Sequence, residues 1–322
     1  MVQSWVMDDI GVNSLKLKDH PIKKPIGNEV LIKQNTIGVN KIDLLQVDGS
    51  YKMSLPAIIG CEACGVVEEV GPDVIEFKKG DRVAYATSPG GAYVEMRNIV
   101  NKFLVPVPDY IADEDASAIL MKGMTAHMLL RRTFFANKDN TLLIHNASSG
   151  FGQIMCTLAK YYESKVIATV SGESNKKLVE KLNVDKVIDI KEENLKDMVI
   201  DFTKGAGVHA AFDYFGSATF SQSLACLSYF GLLVNMIDSY GRVSNVDISK
   251  LFRRSNFMTS PSLFVYKKDR AELLLSSNEI FALKQKKKIH SNIVKKYKFT
   301  EVKEAHSDFR SGYMAGQGVI LV

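Results

Sequence analysis

The chain has 322 residues, 46% hydrophobic and 24% charged, with 41 basic and 36 acidic side chains for a net charge of +5. That is the balance of an ordinary globular protein long enough for two cores. No apolar run approaches the ~20 residues that cross a bilayer. Residues 1–10 carry Asp8 and Asp9 rather than the basic-then-apolar layout of a secretory leader, so a cytoplasmic location is expected.

The N-terminal part reads as short strands and turns. Residues 30–34, 65–70 and 82–86 alternate like half-buried strands. Gly27-Asn28, Gly71-Pro72, Gly80-Asp81 and Pro89-Gly90-Gly91 punctuate them, and Pro106-Val107-Pro108-Asp109 closes the region. A mostly antiparallel β domain follows from this pattern.

Helices begin near Asp113, and strand and helix then alternate to about residue 260. The predicted strands are 141–145, 165–170, 186–189, 208–213 and 231–236. The predicted helices between them are 153–161, 173–182, 192–203 and 219–229. Such alternation predicts a doubly wound parallel sheet with helices on both faces. From about Pro261 the character is mixed again, and the chain ends in a strand at 319–322.

The turn Asn146-Ala147-Ser148-Ser149-Gly150-Phe151-Gly152 joins the first predicted strand of this sheet to its helix. Small residues there allow a pyrophosphate to approach backbone N–H groups at a helix N-terminus. Only the last glycine of the usual pattern is present; Ala147 and Ser149 stand at the other two positions. The turn alone leaves a tight turn of another α/β protein equally open.

Four cysteines occur: Cys61, Cys64, Cys156 and Cys226. Cys61 and Cys64 form a single C-x-x-C inside a strand-like stretch, so the thiols are expected to face different ways. No second pair or matching histidines accompany them, which argues against a structural zinc. The run Lys284-Gln285-Lys286-Lys287-Lys288, with Lys295-Lys296, reads as a solvated surface rather than a nucleic-acid site.

Motifs in order along the chain carry a resemblance. Gly38-Val39-Asn40-Lys41-Ile42-Asp43 looks like "G-x-N-x-x-D", and Gly60-Cys61-Glu62-Ala63-Cys64-Gly65 like "G-x-E-x-x-G". Val70-Gly71 and Gly80-Asp81-Arg82-Val83 match "V-G … G-D-R-V", and Gly91-Ala92-Tyr93 matches "G-[AG]-[YF]". Lys122-Gly123-Met124-Thr125-Ala126 is similar to "K-G-x-T-A", and His145 with its loop to "H-A-A-A-G-G-V-G". Asp213-Tyr214-Phe215-Gly216 and Pro261-Ser262-Leu263 resemble "D-x-x-G" and "P-S-L". Together they resemble the zinc-free, ζ-crystallin-like quinone oxidoreductases of the medium-chain dehydrogenase/reductase superfamily.

The resemblance implies an α/β fold: a Rossmann-type doubly wound parallel sheet plus a mostly antiparallel, GroES-like catalytic domain. The boundaries expected are 1–122 for the catalytic domain, 123–262 for the dinucleotide-binding domain and 263–322 for the return to the catalytic domain. It also implies NADPH-dependent reduction of a quinone, bound in the cleft between the domains. In zinc-dependent relatives a cysteine and a histidine hold the metal; the matching positions here are Asn40 and Cys61. No metal is therefore expected. The strand at 165–170 ends without an acid and is followed by Asn175-Lys176-Lys177, which favours a 2′-phosphate and hence NADPH.

On the same resemblance, Ser149, Gly150, Phe151 and Gly152 would present N–H groups to the pyrophosphate. Ser171 and Lys176 would meet the adenosine ribose phosphate; the family's lysine aligns with Asn175 when no gap is placed, and its tyrosine after the third strand is Ile190 here. Thr125 would contact the nicotinamide ribose. Phe215, Met236, Ile237, Asp238 and Ser239 would lie along the cofactor, with Ser262 and Leu263 contributing. Asn40, Asp43 and Tyr51 would line the substrate side as the catalytic set, Asn40 also touching cofactor. An alkenal or enone reductase, with Tyr51 as proton donor, is the alternative enzyme. An RNA-binding or structural protein is the non-enzymatic one. A homodimer is expected, with neither membrane nor nucleic acid as partner.

Overall fold

A computed structural model of the chain describes residues 1–87, 90–236, 243–312 and 314–322. In chain order, β1 (Val2–Met7), β2 (Leu15–His20), β3 (Glu29–Gly38), α1 (Lys41–Val47), β4 (Ala57–Ile58), β5 (Glu62–Val70), β6 (Arg82–Ala86), β7 (Met96–Val100) and β8 (Val105–Pro106) lead into α2 (Asp113–Met128). Then come β9 (Thr141–Ile144), α3 (Gly150–Tyr161), β10 (Lys165–Val170), α4 (Glu173–Glu180), β11 (Lys186–Asp189), α5 (Leu195–Phe202), β12 (Val208–Asp213), α6 (Phe220–Ala225), β13 (Leu227–Asn235), α7 (Ser249–Phe252) and β14 (Phe257–Thr259). The chain closes with α8 (Leu263–Tyr266), α9 (Arg270–Gln285), β15 (Ile293–Lys298), α10 (Val302–Ser311) and β16 (Gln317–Leu321).

The chain divides into two compact units. One comprises Met1–Met124, Phe264–Lys287 and Ser291–Val322; the other comprises Thr125–Leu263 and Lys288–His290. The first unit holds a small antiparallel sheet, β2-β1-β4, and a larger one in the order β15-β16-β3-β5-β6-β8, with β7 also on β3. Among the described residues only β15 and β16 run parallel there. Its core is built from the inward positions of these strands, among them Ile32, Ile37, Val67, Val83 and Ile320. This is the mostly antiparallel, GroES-like unit.

The second unit is one parallel sheet in the order β11-β10-β9-β12-β13-β14. Strands covered on both faces need continuous apolar runs, and Leu142-Leu143-Ile144 and Val166-Ile167-Ala168 are fully buried. The order runs outward in both directions from β9. The carboxyl ends of β9 and β12 therefore flank the switch point of a Rossmann-type fold, where such sheets bind ligands.

Two helices are shorter by several residues than the sequence suggested, and α4 stops at Glu180, two residues early. Residues 219–229 form a helix only over Phe220–Ala225, because Leu227 already pairs with Val208 and opens β13. The helix expected at 192–203 begins at Leu195, because the Asn194 side chain accepts the Asp197 N–H and caps it there. Glu192 and Glu193 consequently stay in the loop after β11.

One glycine bears on the site. A Cβ at Gly38, the last residue of β3, would lie 2.0 Å from the Ser117 carbonyl oxygen on α2 and 2.5 Å from Glu62 Oε2. Only glycine lets the strand and helix approach this closely. Gly38→Ala is expected to cost about 1–3 kcal/mol of stability, the usual range for overpacking. Urea unfolding followed by circular dichroism checks this; a variant as stable as the wild type would contradict it.

Candidate active site

The turn after β9 takes its shape from bare backbone. Asn146 has a φ of 54°, a left-handed value that asparagine tolerates better than most residues. At Gly152 a Cβ would stand 2.2 Å from the Asn146 carbonyl oxygen and 2.7 Å from Ala147 Cα. The first turn of α3 is thereby pulled against the end of β9. Ser149 caps the helix: its Oγ accepts the Gly152 N–H at 3.0 Å. The Ser149 N–H is itself donated to Asn146 O. The Ser149 and Gly152 N–H groups, both expected at the pyrophosphate, are thus paired within the turn. Phe151 stacks on Tyr214, ring centroids 5.2 Å apart.

Beneath the turn a buried polar chain ties three strand ends together. His145 Nδ1 lies 3.0 Å from Thr169 Oγ1 on β10, and its Nε2 lies 2.9 Å from Ser223 Oγ on α6. Ser223 Oγ in turn donates to Asp213 Oδ2 at 2.5 Å. The network assigns the tautomer: with the serine hydrogen spent on Asp213, His145 donates from Nε2 and accepts at Nδ1. Burial pushes the imidazole pKa down, against the opposing pull of Asp213, so the ring is neutral. Asp213 also accepts the Phe215 and Gly216 N–H groups and the Thr219 hydroxyl. It therefore fixes the backbone at Phe215, whose half-buried ring meets His145 edge-on, centroids 6.0 Å apart.

At the end of β10, Gly172 has a φ of 93° and donates its N–H to Asp189 Oδ2 at 2.9 Å. Asn175 Nδ2 donates to the Ser171 carbonyl at 2.9 Å. Lys176 Nζ lies 3.5 Å from Glu193 Oε1, and that oxygen also accepts the Asp189 N–H at 3.0 Å. Ser171, Asn175, Lys176 and Ile190 are all half-buried around this corner. Of the other expected cofactor residues in this unit, Thr125 is half-buried on α2, Met236 is buried just after β13, Ser262 is exposed and Leu263 buried. Ile237, Asp238 and Ser239 lie outside the described residues.

In the other unit Asn40 and Asp43 come together at the start of α1. Asp43 Oδ2 accepts the Asn40 backbone N–H at 2.9 Å and the Tyr93 hydroxyl at 3.2 Å. Tyr93 in turn meets His306 Nε2 at 3.1 Å. The Asn40 amide is committed inward. Its Nδ2 donates to Glu62 Oε2 at 2.8 Å and Gly38 O at 3.3 Å, and its Oδ1 accepts from Lys122 at 2.8 Å. The Lys122 ammonium completes its set with Val39 O at 3.2 Å and Glu62 Oε2 at 3.8 Å. Glu62 Oε1 accepts the Met121 N–H at 2.6 Å. Asn40 and Asp43 are thus buried and bonded inward, whereas Tyr51 is half-buried just beyond α1.

Glu62, Lys122, Tyr93 and His306 were not among the expected site residues. Glu62 and Lys122 stand inside quoted motifs, and a charged residue in an apolar stretch was the available signal. Nothing local marks His306, which reaches Tyr93 across 213 positions. Among the described residues no group of three or more His, Cys, Asp or Glu could hold a metal ion. Cys61 and Cys64 are both buried and find different partners, Gln46 and Asp113.

Two buried carboxyls face one ammonium, and this shapes their protonation. Burial raises the Asp43 pKa to about 7, with the Glu62 charge adding to it; the Asn40 N–H, Lys122 and Tyr93 pull the other way. Burial likewise raises Glu62 and lowers Lys122, each opposed by the charge of the other. Asp43 Oδ1 has no hydrogen-bond partner among the described residues. A pKa above the unfolded value means that Asp43 favours folding at low pH. That contribution is full below about 4 and is lost as pH rises through about 7. Asp43→Asn removes the titration, so its stability relative to the wild type should rise between these limits by up to about 1.4 kcal/mol per pH unit. Urea unfolding at several pH values measures this; a gap independent of pH would contradict the assignment.

Comparison with known proteins places this geometry. The alcohol dehydrogenase GroES-like domain matches residues 27–109, and the zinc-binding dehydrogenase domain matches residues 150–274. Quinone oxidoreductase 1 of Escherichia coli is 35% identical over 306 residues, covering 92% of each chain. A 2-haloacrylate reductase of a Burkholderia species is 31% identical over 96% of this chain and 94% of its own. The crystal structure of Escherichia coli quinone oxidoreductase complexed with NADPH superposes with a TM-score of 0.95 at 33% identity, covering 100% of this chain and 99% of that one. The chain belongs to the quinone oxidoreductases of the medium-chain dehydrogenase/reductase superfamily.

Proposed function

We propose that the protein is an NADPH-dependent quinone reductase that works without a metal. The observation that carries this reading is the corner at the end of β10. It presents Lys176, Asn175 and Ser171 and no acid at the strand terminus, on a switch-point edge whose first turn has no room for a side chain at Gly152. A 2′-phosphate suits that corner, and NADPH is bound in the Escherichia coli relative.

When bound, the reduced nicotinamide supplies a hydride, and a proton from water completes the hydroquinone. The residues of this chain hold and orient. The turn 146–152 receives the pyrophosphate, Asp213 and His145 fix the backbone at Phe215, and Thr125 and Met236 line the nicotinamide side. Asn40 and Asp43 shape the quinone side from within, and Tyr51 faces the substrate. The Lys122 ammonium, held by three oxygens, supplies a positive charge beside Asn40, one of the two positions that match zinc ligands in metal-dependent relatives. An electron-poor quinone needs no Lewis acid to accept hydride, so positioning accounts for most of the catalysis.

The 2-haloacrylate reductase relative favours one second reading, reduction of a C=C bond conjugated with a carbonyl, with Tyr51 delivering the proton. Binding of RNA by the lysine run is not the favoured reading: Lys284 pairs with Asp115, Lys295 with Glu304 and Asp308, and Lys296 with Glu114, while Lys286, Lys287 and Lys288 are exposed. A homodimer fits the second unit, whose edge strand β14 leaves Phe257 and Met258 exposed.

Titration of the wild type with NADPH and with NADH, read by the fluorescence of the reduced nicotinamide, should give tighter binding of NADPH. Tighter NADH binding would overturn the 2′-phosphate argument. Steady-state oxidation of NADPH with 1,4-benzoquinone, 9,10-phenanthrenequinone and an alkenal should run faster with the quinones. A preference for the alkenal would transfer the assignment to the second reading.

A further inference from the structure

The end of β10 carries no acid, yet an acid stands beside its lysine. It arrives from the next strand. β10 and β11 are parallel neighbours with Val170 opposite Asp189, so the loop after β11 lies against the loop after β10. Asp189 itself is committed: Oδ2 accepts the Gly172 N–H and Oδ1 accepts the Lys191 N–H. Glu193 is different. Its Oε1 is anchored by the Asp189 N–H at 3.0 Å and lies 3.5 Å from Lys176 Nζ. Both side chains are partly shielded, at 31% and 21% exposure. The acid nearest in sequence on α4, Glu173, is occupied by Lys177 at 3.4 Å and is far more exposed.

We propose that Glu193 is a specificity-determining residue: held beside Lys176 by the Asp189 N–H, it offsets the lysine charge and weakens the discrimination between phosphorylated and unphosphorylated nicotinamide cofactors. The inference rests on the reading of Ser171–Lys176 as the adenosine ribose corner. A backbone anchor is the decisive point. A freely rotating glutamate would swing into water when a phosphate approached Lys176. One fixed by a backbone donor stays, so the phosphate meets a lysine already half-compensated. The same carboxylate offers an acceptor to the ribose hydroxyls of the unphosphorylated cofactor, the role that an acid plays in NAD-specific sites.

The test uses the full chain with three substitutions, Glu193→Gln, Lys176→Met and the pair together. Glutamine keeps an oxygen for the Asp189 N–H, so the loop is preserved. Affinities for NADPH and NADH are measured by titration at low and at moderate salt. Glu193→Gln should raise the ratio of NADPH to NADH affinity by about two- to fivefold, the range of a partly exposed ion pair, with the larger change at low salt. In the Lys176→Met background the same change should raise the ratio by less than it does in the wild type, because only the direct effect of the carboxylate on the cofactor remains. An unchanged or reduced ratio for Glu193→Gln, while Lys176→Met still weakens NADPH, would overturn the proposal and leave the corner in place. If Lys176→Met leaves NADPH binding unaltered, the corner itself is wrongly assigned and the proposal falls with it.

Discussion

The ligand end of the parallel sheet depends on one buried carboxylate. Asp213 closes β12 at 0% exposure and draws its donors from two backbone N–H groups and two hydroxyls rather than from a cation. A buried acid is tolerable only when its oxygens are satisfied. That demand fixes the backbone after β12, orients Ser223 and, through Ser223, sets the tautomer of His145. His145 in turn reaches Thr169 on β10. The ends of β10, β9 and β12 are therefore one rigid edge, and the turn 146–152 is mounted on it.

The other unit solves a related problem with charge. Glu62, Asp43 and Lys122 are buried together with Asn40, and their hydrogen bonds hold α1, β5 and α2 in register. The cation of this cluster is the Lys122 ammonium. Removing either partner of such a pair leaves an uncompensated buried charge, which costs about 3–5 kcal/mol. The arrangement therefore ties Asn40 to β5 and α2.

Much of the fold was legible because period and burial agree. Runs such as Leu142-Leu143-Ile144 have the length and composition of strands covered on both faces, and their regular spacing implied the parallel sheet. The two helices that were read too long failed for local reasons. Asn194 caps α5 three residues later than the apolar pattern suggests, and Leu227 is drawn into β13 by its pairing with Val208. The site was legible only where a motif is contiguous. The turn at 146–152 is local, so its residues could be named. The Asn40–Glu62–Lys122 cluster and the Asp43–Tyr93–His306 chain join residues that are distant in sequence, and pairing of that kind leaves no periodic trace. Glu193 was hidden for a related reason: counted as helix, it pointed nowhere in particular, and the cap at Asn194 is what leaves it beside Lys176.

The central claim is that the edge organised by Asp213 receives a phosphorylated dinucleotide. A crystal structure of the protein with NADPH tests it most directly. The pyrophosphate should lie against the first turn of α3 at residues 149–152, with the 2′-phosphate within reach of Lys176. Pyrophosphate density anywhere else on the molecule, or a 2′-phosphate directed away from the end of β10, would contradict the account.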